Sequence, residues 1–390
     1  MVYERFLENK LGLLKGPFMG VLDQFFKKKD LEITEDMVRE ALKVIIDPDL
    51  DKDIVSLGFV RNLKIDRGAV EFEVNLTTPA CPVKEKFKSE AEAAVKALPG
   101  VESVHVIMTA TTRGQTKSPQ TANSLGKVAN IILVASGKGG VGKSTTAVNL
   151  AYGLSSAGSK VGLLDADIHG PSIPMMTGVK NPTQMNGDLV QPPLKDNVKM
   201  ISISMFSGTD QAAIMRGPMA SSMVKNFVTQ VDWGELDYLV IDCPPGTGDI
   251  HLSLAQIAPA TGVVIVTSPQ EVAVMDAKKA LHMYSTLQIP ILGIIETMSY
   301  FEVENKKYYL FGEGGGVKLA ESYSLPLLGQ IPLEVKVSES SDKGLPVILQ
   351  VGKASAAYRN FSGNVAREVS ILHATRGESL SSFSLKWRGA

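Results

Sequence analysis

Nine consecutive residues carry the densest chemistry in the chain: Gly137-Lys138-Gly139-Gly140-Val141-Gly142-Lys143-Ser144-Thr145. They fit the pattern G-x-x-x-x-G-K-[ST] without substitution. Glycines at these positions let backbone N–H groups converge on a polyphosphate, and a helix beginning at the loop adds partial positive charge there. Lys143 is placed to reach the β- and γ-phosphates, and the Ser144 hydroxyl to help hold Mg²⁺. Two further carboxylate words stand downstream. Asp165-Ala166-Asp167 closes an apolar run, and Asp242 closes another. A carboxylate at such a strand end can hold Mg²⁺ through water or orient an attacking water. Asp242 is followed by Cys243-Pro244-Pro245-Gly246-Thr247-Gly248-Asp249. Its prolines and glycines make a loop of fixed geometry, suited to sensing a γ-phosphate through Pro245, Gly246, Gly248 and Asp249.

The elements that must position these groups are legible nearby. Ile131-Ile132-Leu133-Val134-Ala135 reads as a buried strand before the loop, and Thr146 to Leu154 as the helix after it. Further apolar runs follow at Val161–Asp165, Val198–Ser204, Tyr238–Asp242, Val263–Thr267 and Ile291–Ile295. Short apolar runs separated by helical segments imply a mostly parallel, doubly wound sheet covered on both faces. The expectation for residues 128–374 is therefore an α/β P-loop domain. Residues 31–112 read as a small α+β domain. Thr34 is the candidate N-cap of a helix through Val44, and Val70, Phe72, Val74 and Leu76 fall on one face of a strand. A second helix is expected over Lys84–Ala97 and a strand over Val101–Met108. Residues 113–127 read as a linker, and 375–390 as a loose polar tail. In residues 1–30 apolar side chains recur at near-helical spacing, for a helix packed on its own protein or one lying on a membrane surface.

Composition bounds the rest. The 390 residues carry a net charge of −1, with 44% hydrophobic and 21% charged residues. That describes a two-domain globular chain without the field expected of a nucleic-acid or anionic-membrane partner. The N-terminus carries Glu4, Glu8 and Asp23 and lacks a secretory core, so a cytoplasmic address is expected. Cys81 and Cys243 are the only cysteines, which excludes a disulfide framework and a Cys₄ site within one chain. Cys243 reads as a small buried hydrophobe. Cys81 stands just ahead of the helix from Lys84, where a thiol gains thiolate character, or it is buried and inert. The acidic run Asp47, Asp49, Asp51, Asp53 lacks the glycine and glutamate of a calcium loop and reads as a solvated turn. Met175, Met176, Met185, Met200, Met205, Met215, Met219 and Met223 serve either core packing or an adaptable partner surface; Arg216 lies among them.

The spelling K-G-G-V-G-K-S-T resembles the deviant Walker A motif of the MinD/ParA/nitrogenase-iron-protein group of dimeric ATPases. That resemblance implies a homodimer closing over two Mg²⁺·ATP, with Lys138 reaching across to the partner's phosphates. It also implies that Asp167 orients the attacking water while Asp165 lies nearer the metal. Residues 128–350 resemble the Mrp-type (ApbC-type) iron–sulfur carrier ATPases. The words that carry this are Asp165-Ala166-Asp167-Ile168-His169-Gly170-Pro171-Ser172-Ile173-Pro174, Arg216-Gly217-Pro218-Met219, Asp242 through Asp249, and Ser268-Pro269-Gln270-Glu271-Val272-Ala273. Residues 34–112 resemble the small domain of SufT- and PaaD-type assembly factors, through Asp47-Pro48-Asp49, Asp53-Ile54-Val55 and Thr77-Thr78-Pro79-Ala80-Cys81-Pro82.

The resemblance implies a slow ATPase that carries a [4Fe–4S] cluster to apoprotein clients and works with other assembly factors. The family's cluster is held by a Cys-x-x-Cys shortly after the Met-Ser-Tyr-Phe word. Here Met298-Ser299-Tyr300-Phe301 runs on through Glu302-Val303-Glu304-Asn305-Lys306-Lys307-Tyr308-Tyr309-Leu310-Phe311-Gly312 without a cysteine. The expected cluster is accordingly transient, absent or aided by Cys81. The alternative is a nucleotide-switched dimeric scaffold that has lost its cluster site. Thr297 stands where the family places an asparagine that reads the adenine edge, which leaves selection of ATP over GTP open.

Overall fold

The computed structural model describes residues 33–112, 124–179, 184–187, 189–206 and 217–381. Residues 1–30, most of the expected linker, Met215, Arg216 and the last nine residues of the tail lie outside the described residues. The described chain forms two compact units. The smaller holds residues 33–46 with Lys52–Val74 and Phe87–Ile107; the larger holds Asp47–Asp51, Asn75–Lys86 and everything from Met108 onward. Among the described residues no helix is long and apolar enough to cross a membrane.

In the smaller unit, helix α1 (Glu35–Leu42) starts at Thr34, whose side chain accepts the Met37 N–H at 3.3 Å. Strand β1 (Val60–Asp66) pairs antiparallel with β2 (Ala69–Leu76). A third strand, β3 (Ser103–Ala110), completes the sheet beside β2. Val70, Phe72, Val74 and Leu76 are all buried, as their alternation requires. Helix α2 (Lys84–Lys96) buries Phe87, Ala91 and Val95, which recur at i, i+4, i+8. The acidic run is a pair of turns: Asp47 accepts the N–H groups of Asp49 and Leu50 at 2.8 and 3.1 Å, and Asp53 those of Val55 and Ser56.

The larger unit is built on an eight-stranded sheet. Its strands are β4 (Val128–Ala135), β5 (Val161–Asp165), β6 (Leu194–Lys195), β7 (Val198–Ile201), β8 (Leu236–Asp242), β9 (Gly262–Thr267), β10 (Ile291–Glu296) and β11 (Leu327–Gln330). The order is β6-β7-β5-β8-β4-β9-β10-β11, and every pairing is parallel except β6 with β7. Along β4 the side chains alternate between two cores. Ile132 and Val134 join Ala147, Leu150, Phe361 and Val365 under helices α3 (Lys143–Ser156) and α8 (Lys353–Ser381). Ile131 and Leu133 join the opposite core, with residues of α4 (Gly217–Thr229), α5 (Asp249–Ile257), α6 (Glu271–Thr286) and α7 (Gly315–Ser322). Burial on both faces is why these strands read as unbroken apolar runs.

Two expectations change here. The stretch from residue 375 is not loose throughout, because α8 continues to Ser381. The turn holding Cys81 belongs to the larger unit: Ala80 is in its core, and the Thr78 and Tyr238 hydroxyls lie 2.8 Å apart.

Candidate functional site

Parallel pairing brings the chemistry-bearing residues to one edge. In register, Asp242 of β8 lies beside Asp165 of β5 on one side and Val134 of β4 on the other. The phosphate loop leaves β4 two residues later, so both carboxylate words meet it at the carboxyl end of the sheet. Gly140 and Gly142 take φ of +80° and +77°, a conformation that costs other residues steric strain, and Gly142 is the N-cap of α3. Gly137 is required by proximity, because a Cβ there would collide with the Asp276 carbonyl on α6.

Lys143 is only 6% exposed. Its Nζ lies 2.7 Å from Asp242 Oδ1, 3.5 Å from Asp167 Oδ2 and 3.3 Å from the Ser144 hydroxyl. Burial alone would lower its pKa, but the Asp242 and Asp167 carboxylates offset this and hold it above the ordinary lysine value. Lys143 is the counter-charge that makes a fully buried Asp242 tolerable. The second oxygen of Asp242, Oδ2, is buried without a hydrogen-bond partner. An orphaned carboxylate oxygen next to Ser144 suits a hard cation. Among the described residues no group of three His, Cys, Asp or Glu could hold a metal alone. A hard cation held through Asp242 and Ser144 would need further oxygen ligands, such as phosphate oxygens and water, to complete its shell.

Asp165 faces the other way. Its Oδ2 accepts from Ser202 Oγ at 2.9 Å and the Ile173 N–H at 3.4 Å, and its Oδ1 accepts the Asp167 N–H at 3.2 Å. Burial first, and the charge of Asp242 second, push its pKa up to about 7. It shapes the turn that presents Asp167, the more accessible carboxylate. Lys138 is exposed and has no salt-bridge partner among the described residues. The Pro245–Asp249 loop is bonded to the strand end that leads into the phosphate loop, since the Gly246 N–H donates to the Ser136 carbonyl at 2.9 Å. Gly246 has φ +90°, and Gly248 caps α5, which begins at Asp249.

Sequence reasoning missed several supports, whose residue types are unremarkable apart from their positions. His251 is 1% exposed and its Nδ1 lies 2.7 Å from the Tyr284 hydroxyl. Burial, reinforced by Lys143, lowers its pKa to about 4, so it is neutral. Glu296 is fully buried; it accepts the Gly316 N–H at 2.6 Å and Gln330 Nε2 at 2.8 Å. Thr297, singled out in the sequence only for base selection, donates to the Val141 carbonyl of the phosphate loop at 2.6 Å.

Cys243 is the small buried side chain expected, and of the two readings of Cys81 the helix-terminus thiolate is the one the structure disfavours. Cys81 is not acidified: burial raises its thiol to about 11. Cys243 is fully buried, and burial raises it to about 12. Neither is a ready thiolate. Where the thiols are missing, Phe301–Val303 and Lys306–Tyr308 form an antiparallel hairpin turning at Glu304-Asn305, both with positive φ. Val303, Tyr308, Tyr309 and Leu310 are exposed, and Lys307 sits 4.0 Å above the Tyr300 ring. The methionines divide: Met200 is core, whereas Met175, Met185 and Met219 are exposed.

Fold and site together define a P-loop nucleoside triphosphatase. The family model described as the ParA group's NUBPL iron-transfer P-loop NTPase matches residues 127–369, and one described as an iron–sulfur cluster assembly protein matches residues 35–106. The chain belongs to the NUBPL-type iron-transfer P-loop NTPases. It is 45% identical over 335 residues to the iron–sulfur cluster carrier protein of Synechocystis sp., covering 83% of this chain and 94% of that one. It is 46% identical to the chloroplastic Fe–S cluster assembly factor HCF101 of Oryza sativa, covering 79% of this chain and 59% of that protein. Among solved structures, the nucleotide-binding protein of Archaeoglobus fulgidus in complex with ADP matches with a TM-score of 0.52 and 39% identity, over 58% of this chain and 91% of that one.

Proposed function

We propose that this protein is a Mg²⁺-dependent ATPase that works as a homodimer in iron–sulfur cluster carriage. The observation that carries the ATPase half is the state of Lys143. It occupies the carboxylate Asp242 directly beside an unpartnered oxygen of the same group. Polyphosphate entering the loop competes for Lys143, and the ammonium exchanges one anionic partner for another. Asp242 is then free to anchor a metal's water shell, with Ser144 beside it. Mg²⁺, when bound, neutralises charge on the β- and γ-phosphate oxygens. Asp167, 3.5 Å from Lys143 in this state, is released to orient the attacking water. Asp165 keeps that turn in place and approaches the metal only if Ser202 lets go. Lys138, exposed and unpaired, supplies positive charge to the partner subunit's transition state. The link from Gly246 to Ser136 lets the Pro245–Asp249 loop report whether a γ-phosphate is present.

The cargo half rests on the relatives' names and on the assembly-protein match at residues 35–106. Clusters would be cargo received from assembly factors and passed to apoprotein clients. Two thiols held protonated, Cys81 half-buried and Cys243 fully buried, argue against a resident cluster held by this chain alone, and favour a nucleotide-switched scaffold that handles clusters with partner ligands. Two unpaired cysteines suit a reducing, cytoplasmic setting. The direct test is ATP hydrolysis measured with and without Mg²⁺ on the full chain, with mass measured in a non-hydrolysable ATP analogue. A monomer in saturating analogue refutes the dimeric switch, and absence of Mg²⁺-dependent turnover refutes the ATPase.

A further inference from the structure

Three carbonyl oxygens of the phosphate loop are held from behind by hydroxyls. Ser136 Oγ donates to the Lys138 oxygen at 2.9 Å, Thr146 Oγ1 to the Gly142 oxygen at 2.8 Å, and Thr297 Oγ1 to the Val141 oxygen at 2.6 Å. The first two belong to the motif's own flanks. Thr297 arrives from 156 positions away, at the end of β10.

A trans peptide points its C=O and N–H in opposite directions. Turning the carbonyls of Lys138, Val141 and Gly142 into the protein therefore turns the N–H groups of Gly139, Gly142 and Lys143 outward. The outward side is open: a Cβ on Gly139 or Gly140 would meet nothing within 4 Å. Thr297 is 3% exposed and stands under the loop, its methyl 3.6 Å from where a Cβ on Gly142 would lie. Its own N–H is fixed on the Thr267 carbonyl at 2.9 Å, and its hydroxyl lies 3.1 Å from that same oxygen. A threonine hydroxyl carries one hydrogen. Here that hydrogen is committed to backbone carbonyls, so none remains to donate to a nucleobase.

We propose that Thr297 is a positioning residue for the phosphate cradle: its hydroxyl fixes the Val141–Gly142 peptide and so strengthens binding of the diphosphate unit whatever the base. This rests on the nucleotide-binding reading above. It predicts that losing the hydroxyl weakens adenine and guanine nucleotides by one common factor, because the affected group touches phosphate alone.

The test is titration calorimetry of the full chain with Mg²⁺·ADP and Mg²⁺·GDP. Thr297→Val removes the hydroxyl at nearly constant volume and leaves the Val141 carbonyl unpaired. It should weaken both ligands about tenfold, the loss expected for one buried hydrogen bond. Thr297→Ser keeps the donor and should stay within about twofold of wild type. Thr297→Ala, free of any packing strain from valine, should reproduce the common loss. Unchanged affinities in both hydroxyl-free variants overturn the proposal. So does a loss confined to one base, or a serine variant as weak as the valine one. A wild-type chain that binds neither nucleotide overturns the site reading itself, and does so before any substitution is made.

Discussion

The phosphate cradle and the hairpin at Phe301–Tyr308 meet through Thr297, which bonds to the first and stands just before the second in sequence, yet they are built on opposite principles. Thr297, before the turn, is buried and bonded to the loop. Tyr308, Tyr309 and Leu310, after it, face solvent. In the cradle, the ammonium of Lys143, the carboxylate of Asp165 and the hydroxyls of Ser136 and Thr297 all have protein partners, and one oxygen of Asp242 does not. That site is assembled before its ligand arrives, so little ordering is left for binding to supply. The hairpin offers carboxylates, ammonium groups and aromatic rings, and no soft ligand for iron. The difference teaches that the phosphate loop finds its supports within this chain, whereas the hairpin presents no thiolate with which to hold iron.

The strongest attack on this comparison is a pair of lysine substitutions. Lys143→Ala should abolish nucleotide binding in calorimetry and strip Asp242 of its counter-charge. Lys138→Ala should bind nucleotide normally and lose turnover by about 10³-fold, the scale of a charge supplied in trans. Retained hydrolysis in Lys138→Ala would remove the cross-subunit role. Anaerobic reconstitution with iron and sulfide sharpens the other side. Wild type and Cys81→Ser should retain the same sub-stoichiometric iron by absorbance and iron counting. A stable cluster lost only in the serine variant would show that Cys81 escapes its burial.

A pH experiment probes the cradle's support. His251 folds with its pKa lowered from the ordinary 6.5 to about 4, so the unfolded chain binds the extra proton first. Its contribution is complete above pH 6.5 and is lost as pH falls toward 4. Relative to His251→Leu, wild type should lose up to about 3 kcal/mol over that interval in denaturant unfolding. Parallel curves for the two proteins would mean that the ring stays protonated in the fold. The smallest effect belongs to the hairpin. Tyr308→Ala with Leu310→Ala should move stability by no more than about 0.5 kcal/mol each, as exposed positions do. A larger loss would mean that the hairpin is a structural support like the cradle.

Much of the cradle was legible beforehand because its parts are local. The phosphate loop, the two carboxylate words and the proline–glycine switch each occupy a few adjacent residues, and the strands before them are unbroken apolar runs. The Thr34 cap and the buried face of β2 follow from spacing of two to four residues. By contrast, the environments of Asp165 and Cys81 were not legible. A carboxylate after a buried strand suggests a metal ligand until Ser202, thirty-seven positions away, is found on its oxygen. A cysteine ahead of a helix suggests a thiolate until Ala80 and Thr78 are found packed into the larger unit's core.

By itself the amino-acid order determined that this chain cradles a polyphosphate in an α/β sheet, and that it lacks the paired thiols for a resident cluster. Both depend on residue type at short range, where glycine φ preferences, hydrophobic period and donor softness act. Only the tertiary structure decided that Lys143 is locked on Asp242, that Asp165 turns inward and that the Cys81 thiol stays protonated. Desolvation and hydrogen bonding between distant segments fix protonation and orientation, and those depend on what the folded chain brings alongside.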